Sequence, residues 1–289
     1  MTGFRFVSKH RDTYPVARLC RVVGINRAGF YKWISHIPSA RQVADSALLV
    51  TIRAIYKASR NTYGAPRILG QLHLKGHRVS QKRVARLMAE NGIIGVHTRK
   101  KWRRGRPDVG SSPDLVNRDF TADRPDELWV ADITEFPTHQ GKLYVAAILD
   151  VATTQIVGWS MAVSQTADLV VDALVAAVTR RNITGPLIHH SDRGTQYTSL
   201  LFTNRLESLE LLPSLGSTGD CFDNAKMESF WATMKREIAW TTDIETFDTR
   251  DELRTAIFDY IEVFYNRQRH QAGLGHLTPY EYEQQITAA

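Results

Sequence analysis

The sequence predicts an α/β fold: a mixed five-stranded sheet flanked by helices, preceded by an all-α region of helix-turn-helix type. Residues 1–96 show helical periodicity. Residues 125–240 alternate short apolar strands with amphipathic helices in the order β-β-β-α-β-α-β-α, which is typical of a sheet covered by helices. The two parts also carry opposite net charge, so we expect them to have different tasks.

Charge and composition narrow the class of protein. Residues 1–118 hold 24 Lys and Arg against five Asp and Glu, a net charge of +19, whereas residues 119–289 hold 13 against 25, a net charge of −12. An excess of this size favours a nucleic-acid partner over a merely solvated basic surface. No apolar run is long enough to predict a membrane span, and Cys20 and Cys221 form no CxxC pair. These features predict a reduced, cytoplasmic protein.

The first predicted segment, residues 1–40, is helical and of helix-turn-helix type. Within 13–35, Gly24 breaks a first run of apolar residues at helical spacing, and Asn26 can cap the helix that follows. A further helix is expected over 45–58, where the apolar side chains form one stripe.

The second segment, residues 41–96, is predicted to be a helical DNA-binding domain. Pro66 suits a first helical turn and Gly76 a helix end, while Ser80 can cap a helix over 81–91. The length and the turn match a helix-turn-helix whose second helix enters a major groove, although many helical pairs bind nothing. The basic side chains expected outside on that helix are Lys82, Arg83 and Arg86.

Residues 97–124 are interpreted as a basic linker. The run "HTRKKWRRGRP" places six basic residues around one Trp, and the remainder is rich in Pro, Ser and Asp. Linkers are often basic and simply solvated, but this one joins a DNA-binding candidate to another domain, so phosphate contact is expected. The residues assigned to that contact are Lys100, Lys101, Arg103 and Arg104.

From residue 125 the periodicity changes to that of strands. "ELWVADITEF", "KLYVAAILDV" and "TTQIVGWSMAV" predict an antiparallel meander, "GPLIHHSD" a fourth strand and "LLPSLG" a short fifth. Helices are expected over 166–181 and 199–210, and in "DNAKMESFWATMKREIAW". This region, 125–240, is the predicted catalytic core. Residues 241–289 add a long helix, over 249–267, and a tail.

Three carboxylates stand where the sheet and helix patterns give little reason for them. Asp132 interrupts an apolar strand, Asp192 ends the strand "LIHH", and Glu228 lies in the first turns of an amphipathic helix. Strands disfavour Asp, and an unpaired buried charge is costly. Each also has a structural interpretation, as an ion pair, a turn residue or a helix-dipole acid. Together they predict a site for hard cations, which take oxygen ligands, and metal-assisted phosphoryl transfer.

These motifs are similar to those of the DDE transposases of bacterial insertion sequences, which share the retroviral-integrase, ribonuclease-H-like fold. Asp132 in "WVADIT", Asp192 in "HSDRGTQY" and Glu228 in "DNAKMESFWATMKRE" match the three acids, with 35 residues between the second and the third. Lys235 matches a basic residue on the same helix face. The tail resembles the C-terminal signature, with Arg269-His270-Gln271 where many members carry Arg-Pro-His.

The resemblance implies an activity and its cofactors. A transposase of this family would cut the ends of its insertion sequence and join the resulting 3′-OH to another phosphodiester. Asp132, Asp192 and Glu228 would hold two Mg²⁺ ions, for which Mn²⁺ can substitute, and Lys235 would contact DNA phosphate. Two rival functions stay open at this point: a stand-alone nuclease of the same fold, and a DNA-binding protein whose acids are idle.

The histidines of "LIHHSDRGTQY" are expected to support the acids or to face the DNA. They are not expected to bind zinc, because the sequence lacks a CxxC and a matching His pair. The residues assigned to the supporting shell are His190 and Asn224.

The resemblance also implies partners. These are double-stranded DNA, as terminal inverted repeats and target, further copies of the chain on that DNA, and an upstream-frame helix-turn-helix protein of the same element. No membrane partner is implied, and the implied location is the bacterial cytoplasm, at the nucleoid.

Overall fold

The computed structural model describes residues 3–35, 38–96, 121–216 and 225–288. The chain divides into two compact units, residues 1–53 and residues 54–289. Across the described ranges, we find no helix that combines the length and the apolar character needed to cross a membrane.

Three short helices open the chain, α1 (Gly3–His10), α2 (Val16–Val23) and α3 (Arg27–Ile34). The last two confirm the predicted helix-turn-helix, with Gly24 ending α2 in a left-handed conformation (φ 68°) and Asn26 capping α3. The first helix is an addition to the prediction, which places helices only from residue 13 onward.

The second predicted helical segment is also present as helices. They are α4 (Ala40–Ala58), α5 (Ala65–Leu74) and α6 (Gln81–Glu90). Ser80 caps α6 as expected, since its hydroxyl accepts a hydrogen bond from the backbone N–H of Arg83 at 3.4 Å. Gly76 has a φ of +81°, the left-handed conformation that a glycine at a helix end provides.

Residues 125–240 contain the predicted mixed sheet of five strands. The strands are β1 (Leu128–Phe136), β2 (Leu143–Asp150), β3 (Ile156–Ala162), β4 (Ile188–Ser191) and β5 (Leu212–Leu215). Their spatial order is β3-β2-β1-β4-β5. The pairs β1–β2 and β2–β3 are antiparallel, whereas β1–β4 and β4–β5 are parallel. The order in which the chain adds strands therefore reverses between β1 and β4.

Helices cover both faces of this sheet, as the alternating pattern predicted. One face packs on α7 (Ala167–Arg180) and α8 (Leu200–Ser208), and the other on α9 (Ala225–Thr242) and α10 (Arg250–Phe258). Because side chains alternate along β1, Trp129 and Ala131 join the first core while Leu128 and Val130 join the second. Asp132, two residues after Val130, therefore lies on the face that α9 covers.

The C-terminal part differs from the predicted helix over 249–267. The α-helix α10 ends at Phe258, and the chain continues as one π-helical stretch, Asp259–Tyr265. The turns of a π-helix are wider than those of an α-helix, so a search for α-helical periodicity does not detect them. The stretch buries Tyr260 and Phe264. The tail also contains a helix, α11 (Pro279–Thr287), which begins at a capping box formed by Thr278 and Glu281.

Candidate active site

Asp132 is the central acid of the site. It lies in β1, opposite Ala147 of β2, and its side chain is half-buried. The indole Nε1 of Trp231, on α9, donates a hydrogen bond to Asp132 Oδ2 at 3.0 Å. A strand and a helix together therefore fix the position of this carboxylate.

The parallel register of β1 and β4 brings the second acid to the first. Ala131 pairs with Ser191, so the next residues along the two strands, Asp132 and Asp192, follow side by side. This is the point where the strand order reverses, the usual place for a site in an open sheet. Asp192 is exposed, and its Oδ1 accepts a hydrogen bond from the backbone N–H of Gly194 at 3.0 Å.

Glu228 lies in the first turn of α9, three residues before Trp231, and its side chain is exposed. The other two acids act electrostatically on Asp132. Burial, the charge of Asp192 and, to a smaller extent, that of Glu228 raise the pKa of Asp132 from 3.8 to about 7, although hydrogen bonds from the Ile133 N–H and from Trp231 oppose the rise. Negative charge from β4 and α9 thus acts on the acid of β1.

The donor set fits a hard divalent cation. Carboxylate oxygens are the ligands that Mg²⁺ prefers. A cation would offset the burial and the repulsion between acids that together raise the pKa of Asp132. In the ranges that the structure describes, however, no group of three or more His, Cys, Asp or Glu side chains lies close enough to hold one ion. The residues present therefore supply the charge and the ligand type, and the structure does not show a closed coordination sphere.

The two histidines of β4 lie in the interior. His189 packs between the rings of Tyr197 and Phe202, and burial lowers its pKa from 6.5 to about 4, so its ring is neutral at pH 7. His190 is buried on β4, with its Nδ1 2.9 Å from the hydroxyl of Ser214 on β5. Both histidines are buried, so neither presents its ring at the surface to DNA.

Lys235 lies two turns after Glu228 on α9. Its Nζ donates to Thr134 Oγ1 at 2.8 Å and to the carbonyl oxygen of Glu135 at 3.0 Å, and it lies 4.9 Å from the centre of the Phe136 ring. The ammonium group is thus held beside β1, just beyond Asp132.

Two other acids near the site have structural roles. Asp150 accepts hydrogen bonds from the backbone and the hydroxyl of Thr153 in the turn after β2. Glu135 is exposed and pairs with Lys142 across the hairpin at 2.8 Å.

Sequence reasoning missed two side chains that make long-range contacts through α9. The amphipathic pattern of "DNAKMESFWATMKREIAW" accounts for Trp231 only as an apolar side chain. A buried indole N–H needs an acceptor, and that need is the available signal. Arg269, in the C-terminal signature, is buried and bonds to both oxygens of Glu237 on α9, at 2.8 and 3.0 Å. Only the tertiary fold reveals that partner.

Apart from Lys235, the residues assigned to DNA contact fall into two groups. On α6, Lys82 is exposed, while Arg83 and Arg86 are half-buried, and Arg86 pairs with Glu90 at 2.9 Å. The second group lies outside the described residues, together with Asn224: Lys100, Lys101, Arg103 and Arg104.

Known protein families and solved structures show similarity to this chain. Family models described as integrase core domain match residues 122–221 and 228–286, and one described as HTH-like domain matches residues 43–101. Among solved structures, a chain of the simian T-cell lymphotropic virus intasome in complex with PP2A regulatory subunit B56 gamma is 15% identical. The match covers 74% of this chain and 70% of that one, with a TM-score of 0.48. The HTLV-2 integrase catalytic core domain in complex with magnesium (trimeric form) gives 15% identity and a TM-score of 0.44, over 55% of this chain and 97% of that one.

Similarity to bacterial transposases extends over nearly the whole chain. The transposase for insertion sequence element IS629 of Shigella sonnei is 39% identical over 98% of this chain and 96% of its own length. Transposase InsF for insertion sequence IS3A of Escherichia coli (strain K12) is 35% identical over 96% of this chain and 97% of its own. The protein therefore belongs to the insertion-sequence transposases with an integrase catalytic core, enzymes of the DDE polynucleotidyl transferase class.

Proposed function

We propose that this transposase cleaves the ends of its own insertion sequence and joins them to new DNA at Asp132, Asp192 and Glu228. In the first reaction water attacks the phosphodiester at the element's end, the bond between phosphorus and the 3′ oxygen breaks, and a 3′-OH remains. In the second, that 3′-OH attacks a target phosphodiester, forms a new phosphorus–oxygen bond and displaces the target's 3′ oxygen. The observation that carries this proposal is the register of β1 and β4, which pairs Ala131 with Ser191 and so brings Asp132 and Asp192 side by side. The hydrogen bond from Trp231 to Asp132 joins α9, the helix of Glu228, to the same strand.

The three acids would hold two Mg²⁺ ions, or Mn²⁺ in their place. When bound, these ions supply Lewis acidity for the attacking and leaving oxygens. The chain's own side chains prepare the site: Trp231 holds Asp132 and the N–H of Gly194 holds Asp192, so the two carboxylates are already oriented. No nucleophilic side chain is required, because water and the 3′-OH attack directly.

DNA contact is proposed for three sets of basic residues. Lys235 is held next to Asp132 by β1, where its ammonium group would meet a phosphate near the scissile bond. Lys82, Arg83 and Arg86 would hold the terminal repeat. Sequence-independent phosphate contact is proposed for the run Lys100, Lys101, Arg103 and Arg104. His190 and Asn224 are proposed to support the acids without binding the metal themselves.

The proposed working form is an assembly in the bacterial cytoplasm, at the nucleoid. Several copies of the chain would bind two terminal repeats and a target duplex, with an upstream-frame helix-turn-helix protein as a further partner. The proposed division of the chain is a helical segment 1–40, a DNA-binding domain 41–96, a linker 97–124, the catalytic core 125–240 and the C-terminal part 241–289.

The decisive experiment incubates the purified chain with the DNA that flanks its own gene, in Mg²⁺ or in EDTA, and maps every cut and joined end. We expect Mg²⁺-dependent cleavage at the element's ends, and strand-transfer products when target DNA is added. Asp132→Asn, Asp192→Asn and Glu228→Gln should each abolish both products while DNA binding persists. Glu135→Gln is the matched control, because this exposed acid of the same strand pairs with Lys142 outside the site.

Each other outcome has a defined meaning. Cleavage without any joining would identify a stand-alone nuclease of this fold. DNA binding without metal-dependent cleavage would identify a protein whose acids are idle. Full cleavage by any one of the three acid variants would overturn the assignment of the site.

A further inference from the structure

Residues 3–35 form a small three-helix unit with its own core. Val7 of α1, Leu19 and Cys20 of α2 and Phe30 of α3 are buried together. The first of the three domain matches begins at residue 43, so none of them includes this unit. Its helices are short, and it is the tertiary core, not helix length, that holds them.

The turn between α2 and α3 has the form of a DNA-binding helix-turn-helix. Three residues connect the helices, and the first, Gly24, adopts the left-handed conformation. The third, Asn26, accepts hydrogen bonds from the N–H groups of Ala28 at 2.8 Å and Gly29 at 3.2 Å. A turn of three or four residues that often contains glycine is the known feature of this motif, whose second helix enters a major groove.

The outer face of α3 has the composition that groove binding requires. It combines a guanidinium, an ammonium, a phenol and small side chains, and α3 contains no acid. The side chains on this exposed arc are Arg27, Ala28, Tyr31, Lys32 and Ser35. The aromatic ring of Tyr31 is half exposed (50%), although burial of such a ring is normally favourable.

The charge of residues 3–35 also favours DNA binding. Residues 3–35 contain seven Lys and Arg and one acid, Asp12, which itself lies 3.8 Å from Arg11. Arg18 and Arg21 are exposed on α2, the helix that crosses the backbone in this motif. By contrast, Arg86 on α6 pairs with Glu90, so α6 offers a partly neutralised face.

We propose that residues 3–35 are a second DNA-reading module, with α3 in the major groove of double-stranded DNA. Arg27, Tyr31 and Lys32 contact base edges and the groove walls, while Arg18 and Arg21 contact phosphates. The inference rests on the proposed function in one respect only, namely that the DNA it reads is the end of the insertion sequence.

The test measures binding of the full chain in EDTA, where no cleavage occurs. One probe is a short duplex carrying an end of the DNA that flanks the gene, and the other is a scrambled duplex of the same composition. The variant Arg27→Ala/Lys32→Ala removes two charges from α3. Its matched control, Arg5→Ala/Lys9→Ala, removes two charges from the exposed side of α1. Tyr31→Ala tests the groove contact without changing charge.

We expect the α3 variant to lose at least about tenfold more affinity for the end duplex than for the scrambled duplex. Tyr31→Ala should weaken binding to the end duplex alone. The α1 control should weaken both duplexes alike, and between about 50 and 200 mM salt each double variant should lose up to about two units of log–log salt slope. All these side chains are exposed, so the melting temperature should stay within a few degrees of the parent chain's.

Equal losses on both duplexes for the α3 variant would overturn the proposal, because α3 would then supply charge alone. Unchanged binding would overturn it as well. A failure of the proposed function can be distinguished from a failure of this proposal. The first would be an absence of Mg²⁺-dependent cleavage, whereas DNA binding by α3 is measured without metal.

Discussion

The indole Nε1 of Trp231 donates a hydrogen bond to Oδ2 of Asp132 at 3.0 Å, joining helix α9 to strand β1 at the centre of the site. Glu228 lies three residues earlier on the same helix, nearly one turn away. The contact therefore sets the distance between the strand that carries the first acid and the helix that carries the third. Trp231 thus belongs to the apolar core and also orients the carboxylate of Asp132.

Trp231→Phe should weaken metal binding more than it weakens the fold. The ring remains in the core, but Asp132 loses the donor that orients it, and loss of such a partner typically costs about 10- to 100-fold in metal affinity or activity. We expect the Mg²⁺ concentration for half-maximal cleavage to rise about tenfold or more. Trp129→Phe is the control. Trp129 lies on β1, the strand of Asp132, but its indole donates to Asp126 at 3.0 Å, outside the site. An unchanged Mg²⁺ requirement in Trp231→Phe would contradict the orienting role.

Asp132→Asn should stabilise the metal-free protein above pH 7. Burial and the charge of Asp192 raise the pKa of Asp132 from 3.8 to about 7, so the folded state holds this proton more tightly than the unfolded chain. The parent protein therefore loses stability as the pH rises from about 4 to above 7. Asparagine removes that loss, and we expect a gain of about 1–3 kcal/mol in the free energy of unfolding at pH 8.

Two measurements check this explanation. Denaturant unfolding in EDTA should show the gain at pH 8 and little difference at pH 4. Added Mg²⁺ should raise the melting temperature of the parent at pH 8 and leave that of Asp132→Asn nearly unchanged. A variant that is less stable than the parent at pH 8 would show that the carboxylate is structural.

Gly194→Ala should impair cleavage while leaving the fold intact. A Cβ at this position would lie 3.0 Å from Asp192 Oδ1 and 3.1 Å from Gln196 Oε1, so the carboxylate would have to move. Misplacement of a reacting group by even a fraction of an ångström is costly, and we expect about a tenfold loss of cleavage rate. Gly185→Ala is the matched control, because nothing lies within 4 Å of a Cβ there. Equal rates for the two variants would contradict the steric argument.

That Asp132 and Asp192 lie next to each other could be predicted from the sequence, for a physical reason. Asp132 interrupts an apolar strand and Asp192 directly follows one. An acid in a strand is conspicuous because strands disfavour it. The order of strands and helices then indicated a mixed sheet flanked by helices. The register that aligns Ala131 with Ser191 completes the pair.

What the sequence could not reveal are contacts between distant segments. Trp231 and Arg269 lie 99 and 32 residues from their acceptors, Asp132 and Glu237, and no local pattern encodes such a pairing. The π-helical stretch Asp259–Tyr265 was missed because its period differs from that of an α-helix.

The buried cluster around Glu237 leads to the last prediction. Glu237 of α9 accepts hydrogen bonds from Arg269, from the Tyr260 hydroxyl at 2.8 Å and from Arg67 of α5 at 3.3 Å. Although burial opposes it, the charges of Arg269 and Arg67 lower the pKa of Glu237. Because that pKa is below the unfolded value, the cluster contributes stability above about pH 4.5 and loses it as the pH falls further through the folded pKa.

Glu237→Gln should therefore destabilise the protein by about 3–5 kcal/mol near pH 7, because Arg269 keeps a buried charge without a counter-ion. The double variant Glu237→Gln/Arg269→Met removes both charges and should recover much of that loss. Denaturant unfolding of the parent, both single variants and the double variant gives the coupling energy directly. If the losses of the single variants simply add in the double variant, the two side chains are not coupled, and the stability of α9 comes from its apolar face alone.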